Sequence, residues 1–404
     1  MQRELLTNGN YFKRSDGRWG GTVWYRNEKG ERKRKTFSGT NKGAVNKKIK
    51  HFIEHFNDEL KQTDETVKTL RASLKNWLVV FKFTSVEQTS YDRCEQIAEK
   101  QIYPILGDEL VGDIATADIK KLMNYWMNKG YSYSTVKKVY TLLNEYFRYQ
   151  YQQDAIPKNP MDKLEMIKKA NFLSTQGKED LPEREKITIF SDEEIERFRE
   201  EALSVYSNDK RKYQQAAAYI LMLNTGMRTG EVLGLLNSDI NLEKRSLYIQ
   251  RGVKEIQKRK GAEATSGRDI KVGKPKTKTS KREIPLNDVA IEMIQDLRNE
   301  RYFGEDAPLI PDENGGFTKP INFRKRFYRI LKAAGIEQKG LHSLRHTFAT
   351  NLVNGRKDEN GEIHTVPIRT VADILGHTTT EITELYYVKR DMGTLNGATD
   401  AFKF

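Results

Sequence analysis

Tyr213-Gln-Gln-Ala-Ala-Ala-Tyr-Ile-Leu-Met-Leu223 runs through Asn224 into Thr225-Gly226-Met227-Arg228-Thr229-Gly230-Glu231-Val232-Leu233, and this stretch decides how the C-terminal half is read. Tyr213–Leu223 is apolar nearly all round, which predicts a helix buried on every side. An arginine directly behind such a helix, between glycines, is positioned by rigid structure. Taken alone, Arg228 and Glu231 read better as a structural ion pair.

Three further segments lie downstream. Lys274-Pro275-Lys276-Thr277-Lys278-Thr279-Ser280-Lys281-Arg282-Glu283-Ile284-Pro285-Leu286 is strongly basic. Leu247–Ile249, Ile270–Val272 and Arg282–Leu286 read as short strands, which places those lysines on a hairpin tip. Such a tip reaches a phosphate or is a solvated turn. His342-Ser343-Leu344-Arg345-His346-Thr347 sets His342 and Arg345 on one side of a helix. His342 and His346 have the spacing of a zinc-binding helix, but the glutamate of that motif and a third ligand are missing, so no metal is expected. Ile368, Val371, Ala372 and Leu375 form a helical face that stops at Gly376 and leaves His377 at the helix end. Thr383-Glu384-Leu385-Tyr386-Tyr387 follows, and a tyrosine pair alone reads as packing.

Upstream, Arg26, Lys29, Arg32, Lys33, Arg34 and Lys35 crowd into ten residues. Thr22–Tyr25 and Arg32–Phe37 read as strands joined by a turn at Asn27–Gly30. Val45, Ile49, Phe52, Ile53, Phe56 and Leu60 mark one face of a following helix. Basic side chains interleaved with Trp19, Trp24 and Tyr25 predict nucleic-acid contact through Arg26, Arg32, Lys33, Arg34 and Lys35; the alternative is a solvated hairpin. Residues 66–162 read as helical: Leu70, Leu74, Trp77, Leu78 and Phe81 share a face, a second helix runs from Thr116 to Gly130, and a third starts at Ser134. Residues 163–186, polar and holding Gly177 and Pro182, read as a linker. Ser191 with Glu194 forms a capping box that opens a new domain.

The chain has 404 residues, with 70 Lys+Arg against 56 Asp+Glu for a formal charge of +14. At roughly 150 residues per domain this allows two or three domains, and the charge favours a polyanionic partner. Ala216–Leu223, among the longest apolar runs, falls well short of the ~20 residues that cross a bilayer. No secretory signal opens the sequence, and Cys94 is the sole cysteine. A cytoplasmic protein without internal disulfides or a cysteine-cluster zinc site is expected.

Taken in order, Arg228, the lysine segment, His342-x-x-Arg345, His377 and Tyr386 resemble the tyrosine recombinase (phage-type integrase) family. The matching boxes are Thr-Gly-Met-Arg-x-Gly-Glu, Pro-Lys-Thr-x-x-Ser-x-Arg-x-Ile-Pro, His-x-Leu-Arg-His-Thr, and Leu-Gly-His followed by Tyr. The likeness covers the C-terminal half residue by residue and the rest as architecture, as in integrases of phages and conjugative transposons. It implies a multidomain α+β fold: a small N-terminal β-sheet plus helix that binds arm-type DNA (1–62), a helical core-DNA-binding domain (66–162), a linker (163–186), and a mostly α catalytic domain with a small antiparallel sheet (187–404).

The resemblance also implies chemistry. Tyr386 attacks a backbone phosphate to form a 3′-phosphotyrosyl link, Arg228 and Arg345 clamp the phosphate, and His342 and His377 donate hydrogen bonds or assist proton transfer. Lys276, or else Lys278, protonates the leaving oxygen, and neither metal nor nucleotide cofactor is needed. Tyr386 is preferred over Tyr387 by the family spacing. Glu231 orients Arg228. The expected role is integration and excision of a mobile element at double-stranded attachment sites, by a homotetramer assisted by an excisionase and a host DNA-bending protein. A resolution or inversion recombinase and a non-catalytic DNA-binding regulator are the alternatives. Residues 355–365 read as an inserted surface loop with His364 exposed.

Overall fold

The computed structural model describes residues 4–14, 17–27, 30–54, 56, 68–180, 187–273, 281–357 and 363–387. The chain divides into two compact units, residues 1–180 and 181–404.

The first unit opens with a four-stranded sheet, β1 (Glu4–Leu5), β2 (Asn10–Lys13), β3 (Trp19–Arg26) and β4 (Arg32–Gly39), followed by helix α1 (Lys42–Glu54). β3 is central, with β4 antiparallel along one edge and β1 and β2 sharing the other. The first two strands are too short to give a sequence period. Val23 of β3 packs with Val45, Ile49 and Phe52 of α1 in a small core. Period-two alternation divides the basic cluster between two faces. Lys35 pairs with buried Val23 and Lys33 with Tyr25, so both point to the helix side. Arg34 pairs with Trp24 and Arg26 with Arg32, so these three arginines lie on the opposite face. There the Arg32 and Arg34 guanidiniums lie 4.6 and 5.7 Å from the Trp24 ring centre. The five basic residues are therefore not one surface.

The helical part comprises α2 (Leu70–Trp77), α3 (Gln88–Ile97), α4 (Thr116–Asn128), α5 (Tyr133–Gln152) and α6 (Lys169–Thr175). Thr69 caps α2 and Ser132 caps α5, each accepting a backbone N–H. Leu70, Leu74, Trp77, Ile119, Leu122, Val139 and Phe147 meet in one core. Phe81 is not in it and is 41% exposed. The α2 helix widens into a π turn over Leu78–Lys82, and the extra residue in that turn rotates Phe81 off the apolar stripe. The stretch read as linker also departs from expectation: α6 lies within it, and Phe172 is fully buried in this same core. Phe172 and Leu173, its two large apolar residues, are adjacent and give no period, so this helix was hidden in the sequence.

The second unit contains α7 (Asp192–Ala202), α8 (Ala217–Thr225), α9 (Thr229–Gly234), β5 (Ile240–Asn241), β6 (Ser246–Ile249), β7 (Gly252–Lys260), β8 (Glu263–Gly273), β9 (Arg282–Pro285), α10 (Asp288–Glu300), α11 (Pro320–Ala333), α12 (His342–Asn354), β10 (Arg356–Lys357), β11 (Ile363–His364), α13 (Ile368–Leu375) and α14 (Thr380–Tyr387). Ser191 and Glu194 form the capping box of α7. Helix α8 is buried all round, with Tyr219, Ile220, Leu221 and Met222 in the largest core. It starts at Ala217 rather than Tyr213, because Gln215 sits at φ 56° and its N–H is held by the Glu300 carboxylate at 2.8 Å.

β9 joins β6 and β5 in one sheet, whereas β7 and β8 pair only with each other. The hairpin turn therefore lies at Gly261–Ala262. The lysines were expected at a hairpin tip, but they fall between strands of two different sheets. Lys276 and Lys278 themselves lie outside the described residues. Within the inserted segment β10 pairs with β11 and His364 is exposed.

Candidate active site

The site is built where α8, α9, β9, α12, α13 and α14 converge. Helix α8 ends at Gly226 in the left-handed conformation, φ 62°. Its carbonyl is thereby turned back toward α12, where it accepts from Arg345 Nη1 at 2.7 Å. A Cβ on Gly226 would stand 2.4 Å from the Phe348 ring, so only glycine fits on both counts.

Arg345 is 1% exposed. Its Nη2 donates to the Leu375 carbonyl at 2.7 Å and to His377 Nε2 at 3.0 Å. Three of its five N–H groups are thus fixed by partners, and among the described residues two are left for a ligand oxygen. Burial, with the Arg228 charge nearby, pulls this guanidinium down to about 9. It stays protonated at neutral pH.

Glu231 organises the other two arginines. Its carboxylate accepts from Arg228 Nη1 at 2.8 Å and from the Arg228 backbone N–H at 2.9 Å. Arg282 of β9 grips the same carboxylate in a fork, at 3.1 and 2.9 Å, and its Nε donates to the Ile374 carbonyl. Burial raises the Glu231 pKa, but the Arg282 hydrogen bonds and the charges of Arg282 and Arg228 outweigh it and hold the carboxyl at about 2. The ion-pair reading of Arg228–Glu231 and the placed-arginine reading are therefore compatible. Arg282, part of the lysine box, received no role from the sequence alone, and a bidentate partner 51 residues away has no local signal.

The guanidiniums of Arg228, Arg282 and Arg345 gather here around one carboxylate. Both histidines register this field. His377 is held down to about 4 by burial and then by Arg345, Arg228, Arg282 and His342. His342 keeps an exposed edge, yet it too is held at about 4, by partial loss of water and then by His346, Arg345 and Arg228. Both rings are neutral at pH 7 in the free protein.

The two tyrosines of α14 differ. Tyr387 is buried, and its hydroxyl lies 2.9 Å from His346 Nδ1. Burial raises its pKa, with Tyr386 adding to the rise and Arg345 opposing it. Tyr386 is half-buried, and its hydroxyl makes no hydrogen bond among the described residues. The His342 and His346 rings pack edge to face at 4.9 Å. Among the described residues no group of His, Cys, Asp or Glu is arranged to hold a metal ion, and no helix is long and apolar enough to cross a membrane.

Residues 190–392 match the Phage integrase family, and residues 69–127 match the Phage integrase, N-terminal SAM-like domain. A tyrosine recombinase XerC-like protein of Caldanaerobacter subterraneus subsp. tengcongensis is 27% identical over 381 residues, 90% of this chain and 89% of that protein. The transposase from transposon Tn916 of Enterococcus faecalis is 23% identical over 70% of this chain and 65% of its own length. Among solved structures, the Tn1549 transposon integrase in complex with a circular intermediate DNA superposes with a TM-score of 0.61 at 19% identity, covering 83% of this chain and all of that one. A lambda integrase tetramer bound to a Holliday junction gives 0.56 at 17% identity, covering 95% and 98%. The chain belongs to the phage integrase family of tyrosine recombinases.

Proposed function

We propose that this recombinase integrates and excises a mobile element by cutting and rejoining double-stranded DNA at attachment sites, through a 3′-phosphotyrosyl intermediate. The observation that carries the reading is the pair of N–H groups that Arg345 keeps uncommitted among the described residues, with Arg228 alongside, beside a helix that offers one uncommitted tyrosine. A backbone phosphodiester brings one negative charge to the site. The five-coordinate transition state of its transesterification carries two, which gathered guanidiniums stabilise. Arg345 and Arg228 hold the non-bridging oxygens in this reading, because guanidinium forks suit phosphate and stay charged.

Tyr386 Oη gives up its proton, with His342 assisting the transfer, and forms the bond to phosphorus as the bond to the 5′-oxygen breaks. The departing oxygen takes a proton, which Lys276 supplies by the family pattern, with Lys278 as the other candidate. The phosphotyrosyl bond conserves the phosphodiester energy, so a 5′-hydroxyl of another strand rejoins without a nucleotide cofactor or metal. Tyr387 is the poorer nucleophile, because its hydroxyl is already engaged by His346 and its pKa is raised. Strand exchange pairs two duplexes, so the acting form in this proposal is a homotetramer on DNA. An excisionase and a host DNA-bending protein would set its direction. Arg26, Arg32 and Arg34, with Trp24, form the face best suited to an accessory DNA site.

The test is a nicked suicide substrate carrying the attachment site. Wild type should leave a protein–DNA adduct that survives denaturant, and Tyr386→Phe should bind without linking. An adduct from that variant would move the nucleophile to Tyr387. No adduct from wild type on a verified site would leave a DNA-binding regulator.

A further inference from the structure

Helix α14 is attached to the site by two side chains that the chemistry above does not use. Thr383 and Tyr387 are four residues apart, hence on one face, and both are buried. Thr383 Oγ1 lies 2.9 Å from His377 Nδ1. Tyr387 holds His346 on the neighbouring helix, next to Arg345. Tyr386 is three residues after Thr383, so the seating of Thr383 sets the height and rotation of the nucleophile.

The Thr383 contact also has a proton in it. A guanidinium only donates, so the 3.0 Å contact of Arg345 Nη2 requires a lone pair on His377 Nε2. The neutral ring then carries its proton on Nδ1 and donates it to Thr383 Oγ1. An isolated imidazole exchanges its proton between the two nitrogens, and here the partners decide. Arg345 and His342 of α12, Arg228 before α9 and Arg282 of β9 are the charged and titratable groups acting on this ring. None of them accepts a proton from Nδ1. Thr383 does.

We propose that Thr383 is a positioning residue of the recombination site: its hydroxyl accepts the His377 Nδ1 proton and so fixes, in the protein free of DNA, the tautomer whose bare Nε2 steadies Arg345. Seating of the nucleophile helix and setting of the histidine become one event, because the same helix carries Tyr386 and Thr383. A protomer whose α14 is unseated has neither the nucleophile in place nor the His377 ring held at Nδ1. This rests on the reading of Tyr386 as the nucleophile, but the tautomer is measured in the free protein and is independent of cleavage.

The experiment uses the full chain labelled with ring-15N histidine, with His377→Asn serving to assign the resonances. Wild-type His377 should show a protonated Nδ1 and a bare Nε2. Thr383→Val keeps shape but cannot accept; it should mix the tautomers and slow single-turnover cleavage at least about tenfold, the cost typical of losing an orienting partner. DNA affinity should stay unchanged, and Thr383→Ser should restore both ring and rate. A proton on Nε2 in wild type overturns the proposal. So does Thr383→Val with an unaltered cleavage rate, or with a loss that serine does not rescue. If the valine variant fails to fold, the wild-type tautomer and the serine variant decide. If wild type forms no adduct on a verified site, the nucleophile assignment fails while the ring measurement still stands.

Discussion

Glu231 shows how much of this site rests on one side chain. It neutralises one charge, forks Arg282 and orients Arg228 by both side chain and backbone. Its pKa is about 2 in the fold against 4.5 for the free group. A depressed carboxyl stabilises the fold fully above pH 4.5, and that contribution is lost as the pH falls from 4.5 toward 2. Glu231→Gln leaves the buried guanidiniums uncompensated and should cost about 3–5 kcal/mol at pH 7. Urea denaturation should show the gap between variant and wild type narrowing as the pH drops through that window. The histidines make the opposite demand on the ligand. With His342 and His377 held near 4, the unfolded chain takes up protons first, so their contribution is complete above pH 6.5 and lost as the pH falls to 4. A bound phosphate brings opposite charge to the same rings and should raise both pKa values. Histidine NMR titration of Tyr386→Phe with and without attachment-site DNA checks this, and unchanged values would place the phosphate elsewhere.

The elements were legible where a period was long and the burial one-sided. The stripes of α4 and α5, the capping box before α7 and the all-round apolar α8 were all readable, because each rule acts within a few residues. What escaped had its cause at a distance. The π turn that exposes Phe81, the left-handed Gln215 that delays α8, and the buried Phe172 that turns linker into helix all depend on partners remote in sequence. The same division runs through the site. Arg228, His342, Arg345, His377 and Tyr386 stand in ordered motifs, whereas the Arg282 fork, the Thr383 contact and the Tyr387–His346 bond exist only after folding. Gly226 joins both kinds, as a motif residue whose purpose is tertiary. Gly226→Ala must strain φ 62° and push aside the Phe348 ring, which also packs near α13. It should lower stability by about 1–3 kcal/mol and reduce cleavage further, since the carbonyl that fixes Arg345 would shift. A melting-temperature change without loss of cleavage would show that Arg345 tolerates another anchor.

At the scale of the whole molecule, the charge of +14 resolves into places with different duties. At the site in the second unit the Arg345 and Arg282 guanidiniums are buried and, with Arg228, tied to carbonyls and one carboxylate, as the proposed single reacting phosphate requires. In the first unit Arg26, Arg32 and Arg34 lie exposed on the face of β3 and β4 opposite α1, with Arg32 and Arg34 over Trp24, as the proposed accessory DNA contact requires. Binding by the two should therefore separate. Each phosphate neutralised by the sheet contributes about 0.9 to the slope of log affinity against log salt. Arg32→Ala with Arg34→Ala should weaken binding to an accessory site, lower that slope by about 2, and leave cleavage of a minimal core site unchanged. Lys33→Ala with Lys35→Ala, on the helix side, should change the slope much less. Fluorescence anisotropy across a salt series measures the slope, and the suicide substrate measures cleavage. Equal effects from the two pairs would mean that the sheet presents no single face to DNA. Loss of core-site cleavage from the outer-face pair would mean that the N-terminal sheet takes part in the core complex itself.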